Sequence, residues 1–191
     1  DLDSDFGEHG LIKDGKKTIG GLPSAIARGL GLSVSGYPFY GSDIGGFKDR
    51  PTTETLLRWA QYASLGTIMQ LGGGGPSHNP WDTTQFDPNA ATIYKRYADL
   101  HMQLNPLLWT LALQAGSDGT PVTRPARFVY DCNCDDAMFL LGNDILVAPV
   151  VIAGARMREV TLPPGMWVER ATGAIHVGGS TITVAAPLDE L

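Results

Sequence analysis

The stretch from Ser33 to Phe47, Ser-Val-Ser-Gly-Tyr-Pro-Phe-Tyr-Gly-Ser-Asp-Ile-Gly-Gly-Phe, constrains the fold of this chain more than any other. The apolar residues from Leu30 to Val34 read as a short strand, Gly36-Tyr37-Pro38 kinks the chain, and an acid, Asp43, is followed by Gly45 and Gly46. A carboxylate just past a strand, followed by residues that let backbone approach a ligand, is how barrel enzymes present polar groups at the C-terminal face of a parallel sheet. The same residues also read as a strand ending in a Ser-Asp turn, with glycines supplying positive φ. Spacing alone leaves both readings open.

The rest of the chain is consistent with alternating helices and strands. Leu22 to Leu30 reads as a helix, with Pro23 in its first turn and Leu22, Ile26 and Leu30 on one face. Pro51 and Thr52 open another, with Glu54 at the positive end of its dipole and Leu56, Leu57, Ala60, Ala63 and Ser64 as its inner stripe. Arg58 and Trp59 read as braces of the barrel or as core. Gly66 to Leu71 reads as a short strand. Asn89 to Ala115 carries Ile93, Tyr97, Leu100, Leu104, Leu107, Leu108 and Leu111 at steps of three and four, a helix that Pro106 should kink or split.

From Pro121 the pattern changes to short strands: 122–129, 137–141, 144–152, 157–162, 166–169 and 181–185, separated by turns such as Pro163-Pro164-Gly165. Of these, 145–151 reads as buried on both faces. Several short strands at this spacing suggest a small β-sandwich, so the expected division is 1–120 and 121–191. Asp135, Asp136 and Asp144 read as turn and cap acids.

Composition narrows the function classes. A net charge of -6 argues against nucleic-acid or anionic-membrane partners, both of which select basic surfaces. No apolar run approaches a membrane span. Cys132 and Cys134 are the only cysteines, and the four histidines are scattered singly, so no metal site is expected and the thiols read as free. The glycines at 72 to 75 suggest a phosphate cradle, but no Lys-Ser or Lys-Thr pair follows them. The chain starts at Asp1 and stops in mid-pattern, which reads as a fragment.

Residues 35 to 47 closely resemble the signature that follows the acid/base segment in family 31 glycoside hydrolases, the α-glucosidase and α-xylosidase group. The resemblance continues through Leu57-Arg58-Trp59, through Leu104-Asn105-Pro106-Leu107-Leu108-Trp109-Thr110-Leu111-Ala112 and through Gly142-Asn143-Asp144-Ile145-Leu146-Val147-Ala148-Pro149-Val150. It implies an α/β fold: the C-terminal part of a (β/α)8 TIM barrel followed by a small all-β sandwich. It implies a retaining α-glycosidase without a cofactor, acting on a carbohydrate substrate and requiring the N-terminal part of the barrel. The alternative is a catalytically inactive carbohydrate-binding relative or subunit.

The resemblance also assigns residues. Asp1 takes the general acid/base position, because Asp1-Leu2-Asp3-Ser4 and the later Gly20-Gly21-Leu22-Pro23 match one branch of the family. Asp5, in Asp5-Phe6-Gly7-Glu8, is the runner-up, as a nucleophile. That register would squeeze two further strands and the acid/base into about thirty residues, whereas one β/α unit alone needs roughly thirty. Asp43, as a polar partner, and Phe47, as an apolar wall, would line the sugar pocket. His78 and Trp81 would meet a sugar from the loop after the last strand. In the family an arginine and, two residues on, a histidine end that strand; here the positions hold Gln70 and Gly72. That departure puts glucose specificity in doubt, since sites built around buried hydrogen bonds discriminate among hydroxyls. The chain alone is expected to be inactive and poorly soluble.

Overall fold

The computed structural model describes residues 10–13, 20–47, 50–72 and 78–191. Asp1 and Asp5 lie outside them. The first element is a helix, α1 (Gly21–Val34), whose buried residues Leu22, Ala25, Ile26, Gly29, Leu30 and Ser33 recur at steps of three and four. The strand expected over Leu30 to Val34 is therefore the last turn of this helix. Gly31 is on the exposed side, and Leu30 and Ser33 prolong the inner stripe instead of alternating. Ser33 Oγ donates to the Thr123 carbonyl, and the chain leaves the helix where the Tyr37 N–H folds back to the Leu32 carbonyl at 3.0 Å.

Extended chain begins only after that turn. The segments around Tyr40 to Ile44 and Thr67 to Gln70 run side by side and parallel, bridged at Asp43 and Gln70. The Ile44 N–H donates to the Gln70 carbonyl at 3.0 Å. At the other end the Thr67 hydroxyl replaces a ladder bond, accepting from the Tyr40 N–H and donating to the Tyr40 carbonyl. Where a strand was expected over Gly66 to Leu71, a side chain thus does part of the pairing, and only a bridge remains of regular ladder.

Between these segments lies α2 (Thr53–Ser64). Thr52 caps it, its hydroxyl accepting from the Thr55 N–H at 3.1 Å. Thr52→Ala should cost about 1 kcal/mol, read as a lowered midpoint in denaturant unfolding with an unchanged slope. Leu56, Leu57, Trp59, Ala60 and Ala63 are all buried, and α2 packs on α3 (Ala90–Gln103). Pro106 divides the long helical segment as expected. Leu104 separates α3 from α4 (Asn105–Asp118), and the proline occupies the first turn of α4, where its missing N–H is not needed.

The C-terminal part is built from small antiparallel sheets. β1 (Thr123–Pro125), β2 (Phe139–Leu141) and β3 (Ile145–Val147) form one, in which Arg124 faces Leu140 and Leu140 faces Leu146. After Pro125 the chain winds into one helical turn, α5 (Ala126–Val129), so the strand expected to reach Val129 stops early. β4 (Met157–Thr161) pairs with β7 (Thr181–Ala185), and β5 (Met166–Val168) pairs with β6 (Ile175–Val177). The β6 strand was not expected. Its apolar residues Ile175 and Val177 flank His176, whose Nε2 lies 3.4 Å from Glu169 Oε2. Within the run 145–151 expected to be buried on both faces, Val147 and Pro149 are buried and the other residues are half-buried, and the regular strand is only Ile145–Val147.

Cys132 and Cys134 are joined in a disulfide with a Cα–Cα separation of 5.2 Å, which corrects the expectation of free thiols. A bend at Cys132 brings the two side chains together, within ordinary disulfide reach. Asp135 is a turn acid as expected, accepting from the Ala137 N–H, and it also pairs with Arg158.

The two parts share one core, in which Phe139 and Val147 pack with Leu22, Ile26, Leu56 and Trp59. Polar groups seal the junction. Arg58 is 2% exposed and donates from Nη1 to Gln61 Oε1 at 2.9 Å and to the Pro187 carbonyl at 3.0 Å. Its Nη2 donates to the carbonyls of Ala155 and Ala186, both at 2.6 Å. The Gln61 amide donates to Tyr97 Oη and to the carbonyls of Pro187 and Glu190. Burial pulls the Arg58 guanidinium below its ordinary value and pushes the Tyr97 phenol up to about 12. No helix among the described residues is long and apolar enough to cross a membrane.

Candidate active site

The two parallel segments have a core side and an open side. Ser42 and Ile44 point to the core, where the Trp59 indole N–H donates to Ser42 Oγ at 2.9 Å. Met69 and Leu71 pack on the same core. Residues of the other parity share the opposite face: Phe39, Gly41 and Asp43 on the first segment, and Ile68, Gln70 and Gly72 on the second. On that face Phe39 is 52% and Ile68 43% exposed. A barrel closes with eight strands and fills its interior with such layers; the described residues carry two of them.

Along this face the apolar layer gives way to a polar one toward the C-terminal ends of the segments. Gly41 sits against Ile68, where an added Cβ would lie 2.8 Å from the isoleucine side chain. One step further, Gln70 Nε2 donates to Asp43 Oδ1 at 2.6 Å. Among the described residues no cation pairs with Asp43, and its Oδ2 accepts no hydrogen bond. Gly72 closes on the same carboxylate, and a Cβ there would stand 2.7 Å from Asp43 Oδ1.

The turn after Asp43 is built on Gly45, with φ +89, and the Gly46 N–H returns to the Asp43 carbonyl at 2.9 Å. A side chain at Gly45 would be strained in that conformation and would also meet Pro51 and the His78 ring. His78 is 5% exposed and packs beneath this turn, and its Nε2 has no hydrogen-bond partner among the described residues. Phe47, at the end of the turn, is half-buried.

Trp81 is 63% exposed and rides on a turn pinned by Asp82, whose Oδ1 accepts from the Thr84 N–H and hydroxyl. Those two bonds hold the Asp82 carboxyl below its ordinary value. The structure thus joins Asp43 to Gln70 directly and sets His78 under the turn that links Asp43 to Phe47. Trp81 makes no hydrogen bond to that group among the described residues.

Sequence reasoning singled out Asp43 and Gln70 separately but not their pairing, nor the packing of Gly72 on the carboxylate. The legible signal was the alternation of residues 41 to 43 and 68 to 72. His101, in the last turn of α3, faces the Ser64 carbonyl through Nδ1 at 3.1 Å. Among the described residues no group of three or more His, Cys, Asp or Glu side chains converges.

Comparison with known proteins places this geometry. Residues 12–111 match the family description "Glycosyl hydrolases family 31 TIM-barrel domain", and residues 119–191 match "Glycosyl hydrolase family 31 C-terminal domain". A sulfoquinovosidase of Agrobacterium fabrum is 33% identical over 181 residues, covering 89% of this chain and 27% of the relative. An α-glucosidase of Bacillus thermoamyloliquefaciens is 33% identical over 176 residues, covering 89% of this chain and 22% of the relative. Among solved structures, a family 31 α-xylosidase from a soil metagenome, complexed with xylose, superposes with a TM-score of 0.79 at 29% identity, over 94% of this chain and 31% of that one. The chain therefore spans about a quarter of the length of these curated relatives. With both of its parts matched in order along the sequence, the chain belongs to glycosyl hydrolase family 31, as a portion of the TIM barrel followed by the C-terminal domain.

Proposed function

We propose that this chain is part of a retaining α-glycosidase, with the general acid/base at Asp1 and the nucleophile on an upstream strand. The observation that carries the reading is the polar layer of Asp43 and Gln70 at the C-terminal ends of adjacent parallel segments, in a family 31 barrel. Relatives named for sulfoquinovosidase, α-glucosidase and α-xylosidase activities agree on glycoside hydrolysis and differ in the sugar.

In this reading two carboxyl groups about 5 to 5.5 Å apart flank the scissile bond. Asp1 protonates the leaving oxygen while the upstream carboxylate attacks the anomeric carbon. Asp1 then takes a proton from the water that releases the sugar. The acid must hold its proton near neutral pH, which burial or a neighbouring negative charge achieves by raising its pKa. Asp43, Phe47, Gln70, His78 and Trp81 are the sugar-side residues. Asp43 and Gln70 supply polar contacts, Phe47 an apolar wall, Trp81 an exposed ring face, and His78 support beneath the Asp43 turn.

The test uses the full-length parent protein on paired nitrophenyl α- and β-glycosides, with the first-formed anomer followed by NMR. Release from the α series alone, with the α anomer appearing first, is the expected result. Inversion of the anomer would overturn the retaining mechanism, and silence on every glycoside would overturn the proposal and favour the carbohydrate-binding alternative. Residues 1–191 alone should show no turnover, since two segments cannot enclose a sugar, and measurable release by them would refute that expectation.

A further inference from the structure

We infer that Asp43, Gln70 and Gly72 form one specificity unit that presents two hydrogen-bond acceptors to a neutral sugar and disfavours an anionic one; this rests on the glycosidase reading above. Asp43 Oδ1 is occupied by the Gln70 amide N–H at 2.6 Å. Because an amide that donates through nitrogen keeps its oxygen as an acceptor, Gln70 Oε1 and Asp43 Oδ2 both remain acceptors on two bridged neighbours of the open face. Two adjacent acceptors match two hydroxyl donors, as on neighbouring carbons of an aldose. They do not match a sulfonate or carboxylate, which offers no donor and would meet the Asp43 charge. Among the described residues no cation pairs with Asp43 to offset that charge.

The third member explains why the pair exists. A Cβ at position 72 would fall 2.7 Å from Asp43 Oδ1 and 3.7 Å from Gln70 Nε2. Only glycine therefore lets the carboxylate lean toward the second segment far enough to take the Gln70 bond. The glutamine and the glycine are coupled: each is useful to Asp43 only while the other is present. A side chain at 72 would push the carboxylate off its partner, and a cation at 70 would change both the charge and the acceptor pattern of the unit.

The experiment measures kcat/KM of the parent protein on nitrophenyl α-glycosides of neutral aldoses and of a sulfonated and a uronic sugar, for wild type, Gly72→Ala, Gln70→Met and Gln70→Arg. Wild type should favour the neutral series. Gly72→Ala and Gln70→Met should each lose roughly tenfold to a hundredfold on it, the range for a lost bond to a charged group. The double variant Gly72→Ala/Gln70→Met should lose little more than either alone. Gln70→Arg should move selectivity toward the anionic sugars. Thermal unfolding of each variant reports folding separately, and if Gly72→Ala does not fold, the two Gln70 variants carry the test. A wild type that prefers anionic glycosides, or folded Gln70 variants with unchanged selectivity, would overturn the inference while leaving the glycosidase reading intact. Silence of the wild type on the whole panel would instead sink that reading and the inference with it.

Discussion

Asp1→Asn in the full-length parent protein should lower turnover of unactivated disaccharides by about 100-fold to 10,000-fold, the usual contribution of a positioned general acid. The loss should depend on the leaving group. A nitrophenolate departs without a proton, so the first step on nitrophenyl glycosides should be largely spared, whereas a sugar alkoxide needs the acid. The second step should slow on every substrate, because the same group serves as base for water. The expected signature is therefore a burst of nitrophenol followed by a slow steady state. Asp5→Asn provides the contrast and should stay close to wild type. If Asp5→Asn abolishes every substrate while Asp1→Asn does not, Asp5 is the nucleophile and the register is wrong, since loss of a nucleophile spares no leaving group.

Arg58→Met should be the most damaging single change to stability among the described residues. The guanidinium is 2% exposed and gives bonds to Gln61 Oε1 and to the carbonyls of Pro187, Ala155 and Ala186. Methionine fills similar volume but donates nothing, so Gln61 Oε1 and the Ala186 carbonyl, one acceptor from each part of the chain, lose their donor, while the Pro187 carbonyl keeps its bond from Gln61 and the Ala155 carbonyl its bond from Arg156. At about 1 to 3 kcal/mol for each such group, with partial relaxation, a loss of roughly 3 to 5 kcal/mol follows. That is a large share of a domain's usual stability of about 5 to 15 kcal/mol. The neighbouring contact between Arg156 and Glu54 makes a useful control, because the Arg156 side chain is 51% exposed and such pairs contribute about 0 to 1 kcal/mol. Denaturant unfolding of the parent protein should separate the two variants clearly. Equal midpoints for Arg58→Met and Arg156→Ala would refute the view that Arg58 holds the junction.

Both outcomes bear on how the site is held. Trp59 follows Arg58 on α2, and its indole N–H fixes Ser42, the residue before Asp43. One helix thus ties the C-terminal part to the segment that presents the Asp43 carboxylate. Sequence reasoning read Arg58 and Trp59 as braces or as core without the partners of Arg58, because the carbonyls of Ala155, Ala186 and Pro187 lie far along the chain.

Local chemistry, read from the sequence alone, determined the elements whose signals are local. Thr52 capping α2, the buried stripe from Leu56 to Ser64, and the break at Pro106 follow from short-range hydrogen bonding, helical period and a missing N–H. The thirteen-residue match from Ser35 to Phe47, with its companions downstream, determined the family and hence the fold class. What depended on distant partners was decided only by the tertiary structure. Leu30 to Val34 is equally apolar as strand or helix end, and the contact of Ser33 with Thr123 belongs to the helix. The Cys132–Cys134 bond and the β6 strand likewise depend on turns whose geometry composition does not encode. The pairing of Asp43 with Gln70, and the space that Gly72 leaves for it, arise from two segments 27 residues apart lying parallel. A sequence gives the residue types at such a contact, but only packing decides which of them share a face and at what distance.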